Sequence, residues 1–575
     1  MSNFEKMIKV ARGKSRADIV LKNGRVVNVY SGEIYEADVA ILEDRVIGLG
    51  DYSGVKEYDL KGTIVAPGFI DSHIHLESSM VTVPEFAKVV VPLGTTSVVS
   101  DPHEIANVMG LDGVNYMLKS SKYNPLNVFV MIPACVPSSH LETSGSELRA
   151  TDIFFFLNQD WILGLAEVMD YHGVLKGNPN ILDKIKIAGR KIIDGHAPGL
   201  SGKDLCAYAA MRISSDHECA TPEEAMEKLR LGMMIMIREG GLAKNMEALL
   251  PLVTPQTIYQ FALCTDDRHP QDLVDEGHMN ALIKKAVRLG LDPVSAIRLC
   301  TINAARHYGL EDLGAIAPGK TADIVVLDNF ENFNVEMVFK NGALVAKEGE
   351  LLPQIIAAIR PAESLRGSIN IQWLKPEYFE IPARRGRCRV IGLIPHQLIT
   401  RQELLKPKVI GGKVIADTER DILKLVVVER HHASSHIGLG LVRGFGLTNG
   451  AIASSVAHDS HNIIAVGTND ADIMEAVVKI RKLQGGFTVV VEGKLVASLA
   501  LPIAGLMSTK SVEEVKEEIK NLIRVTHTMG CTLDDPFMML SFLALPVIPE
   551  LKLTDKGLVK VSEQKIIPLF VQKKS

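Results

Sequence analysis

His73 and His75 stand two residues apart in PGFIDSHIHLE. On a β-strand that spacing sends both side chains to one face. Two imidazoles converging on one point are what a divalent cation asks of a protein. Four more candidate ligands close later apolar runs: Glu167 in ILGLAEVM, His196 in KIIDGHA, His217 in RISSDHE and Asp266 in FALCTDD. Taken singly, each reads more simply as a buried, satisfied structural residue. Taken together, four imidazoles and two carboxylates suffice for two metal ions, with Glu167 as the bridge. Two ions about 3.5–4 Å apart share a hydroxide poised for attack. Asp266 then has two roles, ligand and base, because a carboxylate beside cations stays ionised and can carry a proton to a leaving group. This is chemistry for hydrolytic displacement of an amine or amide nitrogen.

Such a site needs elements that bring six distant residues to one rim. Eight strand-like runs precede or contain them: 68–76, 95–104, 127–136, 162–169, 191–197, 212–218, 234–240 and 261–267. Helical stretches separate the runs, for example TPEEAMEKLRLG, with a Thr cap and Pro at the first turn. Eight β/α units over about 240 residues predict a (β/α)8 barrel, in which the C-terminal strand ends form the active face. Flanking it, ADIVLKNGRVVNV near the start and ADIVVLDN with VEMVFKNGALVAKEGEL later share ADIV and KNG. Both blocks read as hairpins of one small β-sandwich domain that the chain leaves and re-enters. From about Arg366 strands mix with an amphipathic helix, SVEEVKEEIKNLIRVTHTMG, predicting a third, α+β domain. The expected division is 1–66 and 312–365 for the β domain, 67–311 for the barrel and 366–575 for the α+β domain.

Composition narrows the partners. The 575 residues carry 63 basic and 68 acidic side chains, a formal net charge of −5, and 5% aromatics. Neither a basic field nor stacking platforms for nucleic acid follow from that. Seven scattered cysteines without a CxxC pair fit a reducing compartment rather than a disulfide framework. The charged N-terminus shows no signal peptide, and no apolar run reaches the ~18–20 residues of a membrane span. We therefore expect a cytoplasmic protein with a small-molecule substrate and no membrane partner. A homo-oligomer, by default a dimer, is expected on general grounds.

PGFIDSHIHLE, GAIAPGKTADIVVLD and the strand-end His, His and Asp resemble the amidohydrolase superfamily. More narrowly, ESSM, DPHEIANVMG, GLAEVM, DGHAPG, SSDHE, CTDDRHP, RHHASSHIGLG and VAHDSHNIIAVG resemble bacterial and archaeal adenine deaminases, over essentially the whole chain. The resemblance implies hydrolysis of adenine to hypoxanthine and ammonia in purine salvage, with hydroxide from a binuclear site attacking C6. It implies manganese or ferrous iron, with zinc as an alternative, and sets Glu167 where many superfamily members have a carboxylated lysine. For that substrate, Glu104 in DPHE, with His103, is expected to hydrogen-bond and protonate a purine ring nitrogen. The competing reading has Asp101 and Glu104 capping the next helix.

Other readings stay open beside these. A cyclic amidohydrolase or deacetylase would use the same barrel with donors for a carbonyl oxyanion. A non-enzymatic scaffold would have no need for six ligand residues. Histidines 431, 432, 436, 458 and 461 crowd the C-terminal domain, where GAIASSVAHDSHN is expected to cover the barrel mouth. Arg238 and Glu239 end the seventh strand as a substrate contact or an ion pair. His140 and Glu142 are expected to border the pocket, and Ser78 and Ser79 to cap a helix.

Overall fold

The computed structural model describes residues 3–241, 243–358, 365–394 and 397–571. Eight parallel strands form a barrel: β1 Phe69–Ile74, β2 Thr95–Ser100, β3 Asn127–Ile132, β4 Ile162–Val168, β5 Ile192–Gly195, β6 Ser215–Asp216, β7 Met234–Arg238 and β8 Phe261–Cys264. Hydrogen bonds run continuously from β1 to β5 and from β6 to β8. The backbone closes both seams. Asp266 N–H donates to the His73 carbonyl (2.9 Å) and His75 N–H to the Asp266 carbonyl (3.2 Å), joining β8 to β1. Ser214 N–H donates to the Ile193 carbonyl (2.9 Å), joining β6 to β5. The interior is packed rather than open: Val99, Met131, Ala166, Met234, Met236, Ala262, Cys264 and Tyr308 fill it.

The helices between strands follow from ordinary start signals. Thr221 caps the Pro222–Arg230 helix through the Glu224 N–H, and Pro222 takes the first turn. The other two regions are sheets built around the barrel. Strand Ile64–Pro67 pairs antiparallel with Ile324–Leu327, so the outgoing and returning chain meet in one nine-stranded sheet. Leu21, Val39, Ile41, Val65, Ile324 and Phe339 from distant strands of that sheet share one apolar cluster. The tripeptide KNG serves two purposes there. At 340–342 it turns a hairpin, with Asn341 and Gly342 both at positive φ. At 22–24 it forms a bulge inside the single strand Ala17–Val27, so the first copy is no hairpin turn.

The C-terminal region carries an eight-stranded sheet from Cys388–Leu393 to Lys494–Ala500, backed by the Asp470–Leu483 helix. Its second long helix, Val512–Thr528, opens on a Ser511/Glu514 capping box and packs its apolar face toward the barrel. Val515, Ile519 and Leu522 belong to the same buried cluster as Val83, Phe86 and Leu273 of the barrel side. The two regions therefore share a core, and the C-terminal region is fixed over the barrel mouth. Among the described residues no helix is long and apolar enough to cross a membrane.

Candidate active site

At the C-terminal rim of the barrel the six ligand candidates come together. His73 Nε2 and His75 Nε2 lie 3.3 Å apart. The His75 Nδ1–H donates to the Asp101 carbonyl (3.0 Å), which leaves the Nε2 lone pair facing inward. A second ring nitrogen opposite that lone pair is unfavourable unless a proton or a cation lies between them. Glu167 sits between the histidines with its two oxygens divided. Oε1 is 3.4 Å from His75 Nε2 and 3.8 Å from His73 Nε2. Oε2 is 2.6 Å from His196 Nδ1 and 3.3 Å from His217 Nε2. Asp266 Oδ1 lies 3.0 Å from His75 Nε2 and 3.6 Å from His73 Nε2. His196 Nε2 is buried and unpartnered among the described residues.

These groups can hold cations. His73, His75 and Asp266 form one cluster whose ligand atoms lie within 4.8 Å of one another, and His73, Glu167 and His217 form another. The carboxylates are in the required state. Burial alone would raise Glu167, but the His217 and His196 imidazoles hold it well below the ordinary carboxylate range. Burial likewise opposes ionisation of Asp266, and Arg238, then His73 and His75, hold it low. Arg238 donates to Asp266 Oδ2 (2.7 Å) and pairs through both guanidinium nitrogens with Glu218. Arg238 is thus a buried ion-pair partner that also lines the cavity.

Glu104 and His103 border the same cavity. His103 Nδ1 is 3.0 Å from Asp101 Oδ2 and 3.5 Å from Glu167 Oε1. Neither Asp101 nor Glu104 caps the next helix, His103–Ser120; its Ile105 N–H donates to Glu77 Oε1 instead (3.1 Å). Glu104 accepts from Ser78 Oγ (3.2 Å), and its Oε1 lies 3.1 Å from His458 Nδ1. Burial would raise its carboxyl, yet His458 and His461 hold it well below the ordinary range. A donor role for Glu104 alone conflicts with that environment, which favours the ionised, accepting form. Its neighbour Glu77 is pushed up to about 8, by burial and by Glu104 itself.

Several expectations change. Ser78 and Ser79 lie in the Leu76–Ser79 turn rather than capping a helix, and Ser78 bonds both Glu104 and Asp267. His140 is exposed and Glu142 is buried against Ser138, so neither lines the cavity. Glu239 turns away to Lys285. Sequence reasoning missed Asp267 and Glu218, although each adjoins a residue it named. It also missed a whole apolar wall, Leu398, Met538, Phe542, Leu545, Val547 and Ile548, supplied by the C-terminal region. Beside that wall His458 and Asp459, from the anticipated AHDSHN loop, line the same cavity as His75, Glu167, His196, His217 and Asp266.

Comparison with known proteins agrees with this layout. Residues 64–345 match the amidohydrolase family, and residues 397–565 match the adenine deaminase C-terminal domain. The chain is 48% identical over 570 residues to "Adenine deaminase 2" of Carboxydothermus hydrogenoformans, covering 99% of this chain and 100% of that protein. It is 48% identical to an adenine deaminase of Dehalococcoides mccartyi, over 99% of each. An amidohydrolase barrel joined to an adenine deaminase C-terminal domain, with 48% identity along the full length of such relatives, places this chain in the adenine deaminase family.

Proposed function

We propose that the protein hydrolyses adenine to hypoxanthine and ammonia, a step of purine salvage. The observation that carries the hydrolytic reading is Glu167, whose two oxygens are divided between His73/His75 and His196/His217. The full-length kinship supports adenine as the substrate. His73, His75 and Asp266 would hold one divalent ion and His196 and His217 a second, with Glu167 between them. Imidazole with carboxylate suits manganese or ferrous iron, and also zinc. When bound, the ions supply the Lewis acidity that brings a water's proton within reach of a carboxylate base.

The protein's own groups account for the remaining steps. Asp266 Oδ1 faces the ligand cluster and takes the proton from water while Arg238 holds Oδ2. Addition of that oxygen to purine C6 gives a tetrahedral adduct, and Asp266 returns the proton to the exocyclic nitrogen, which leaves as ammonia. Glu104 and His103, in the first turn of the helix after the second strand, orient the purine ring. Hydrophobic side chains from 538–548 exclude bulk water, which strengthens each electrostatic contact inside. A cytoplasmic setting suits the seven free thiols, and we expect a homo-oligomer.

An ultraviolet assay of metal-loaded protein against adenine, adenosine, cytosine and cyclic amides tests this reading. Conversion of adenine to hypoxanthine is expected. Its absence with both manganese and ferrous iron would reject the substrate assignment.

A further inference from the structure

We propose that His458, contributed by the C-terminal region, contacts the purine as a catalytic residue and forms a working pair with Glu104. This rests on the adenine reading above and adds a residue from a different part of the chain. Three features of the geometry point to it. His458 lines the cavity, with Nδ1 3.1 Å from Glu104 Oε1. Its ring lies flat on Phe542, centroids 4.4 Å apart and planes within 9°, which fixes the plane of the imidazole. With Nδ1 turned to the carboxylate, Nε2 is the polar atom of that ring left for a ligand.

Glu104, His458 and His461 also form a cluster that could be read as a third cation site. The tautomer of His461 argues against that. Its Nδ1 accepts the Ala457 N–H (3.1 Å), which places the ring proton on Nε2, 3.9 Å from Glu104 Oε2. A nitrogen carrying a proton cannot ligate a metal. His461 Nε2–H is therefore buried and faces Glu104 from beyond hydrogen-bond distance, without a partner among the described residues. The loop itself is pinned from behind: the buried Arg430 guanidinium donates to the carbonyls of His461, Ser368 and Ala504.

In this arrangement Glu104 is the acceptor that orients His458. Beside the ionised Glu104 the His458 ring is an imidazolium, protonated on both nitrogens; its Nε2–H donates to a ring nitrogen of the purine as C6 accepts the water oxygen. Charge building on the ring at that step is met by a donor the barrel alone does not supply.

The test uses metal-loaded, full-length His458→Asn, Glu104→Gln and the double variant. Adenine turnover, metal per chain and Tm are measured on each. We expect kcat/KM to fall by about 10²–10³-fold in each single variant, as for loss of a positioned proton donor. Metal content and Tm should stay at wild-type values, and the double variant should lose little more than either single. A His458→Asn enzyme within threefold of wild type overturns the proposal, as do losses that multiply in the double variant. A lower metal count in His458→Asn overturns it in favour of a cation site. Should Asn unsettle the loop, Phe542→Leu keeps the wall apolar and only frees the imidazole; unchanged kcat there also counts against the pair. If wild-type protein fails to deaminate adenine, the function above is rejected separately. Calorimetric hypoxanthine binding then decides this residue, equal affinities for wild type and His458→Asn overturning it.

Discussion

On the barrel side of the cavity each ligand candidate reaches in from a strand end and is held by another charged or polar group. On the other side Leu398, Met538, Phe542, Leu545, Val547 and Ile548 come from loops and one short helix and touch mostly apolar neighbours. The first wall is built of directions, because a ligand atom misplaced by an ångström is lost to the metal. The second is built of volume and exclusion, where a methyl group more or less shifts affinity by small steps. The two walls should therefore answer mutation differently. The barrel wall should govern kcat, and the apolar wall KM, apart from Phe542, which also holds the His458 ring.

The largest effect is expected at Asp266→Asn, which on the proposed function removes a ligand and the base together. A fall in kcat/KM of about 10⁴-fold or more, with less bound metal, would fit that double role. Turnover within tenfold of wild type would show that another group is the base. Across the cavity, Met538→Ala should raise KM for adenine about tenfold and leave kcat within threefold, because it removes part of one buried apolar side chain. A matching loss in kcat would erase the contrast between the walls.

A smaller, pH-linked effect is expected at Lys552. Its buried ammonium donates to the carbonyls of Leu398 (2.8 Å) and Phe542 (3.0 Å), tying two segments of the apolar wall. Burial lowers it to about 7, against 10.5 for a free lysine. Between those values the unfolded chain binds more protons than the folded one, so this group's contribution to stability rises with pH from about 7 to about 10.5. It is lost again as pH falls through 7. Relative to Lys552→Met, wild-type stability should rise across that window, by at most about 1.4 kcal/mol per pH unit. A difference that is flat with pH would mean the lysine stays charged. The smallest effect belongs to Lys516–Asp275, a partly exposed pair joining the C-terminal helix to the barrel. Asp275→Asn should cost less than about 1 kcal/mol and leave turnover unchanged.

The contrast between the walls also explains what could be read from the sequence. His73 and His75 were legible because strand alternation alone puts both on one face. Glu167, His196, His217 and Asp266 were legible because they punctuate apolar runs of strand length, and a parallel barrel gathers strand ends at one rim. Phe542 and Met538 were not, since an apolar residue in the C-terminal region looks the same whether it fills a core or walls a cavity. Only docking of the two regions distinguishes them. The role of Glu104 was half legible. DPHE placed it at the rim, but its ionised state depends on His458, more than 350 positions later, 458 − 104. The turn after the first strand also showed how proximity misleads: Ser78 looked like a helix cap and instead hydrogen-bonds two of the buried carboxylates.

The order in which the two walls occur along the chain has a consequence for how the enzyme is made. Asp266 completes the ligand set, and 192 residues, 458 − 266, separate it from His458. At roughly 5–20 residues per second on the ribosome, about ten to forty seconds pass between the two. A folding barrel would spend that interval with its mouth uncovered. The wall that excludes water would then be added last, over a rim whose ligand candidates are already translated.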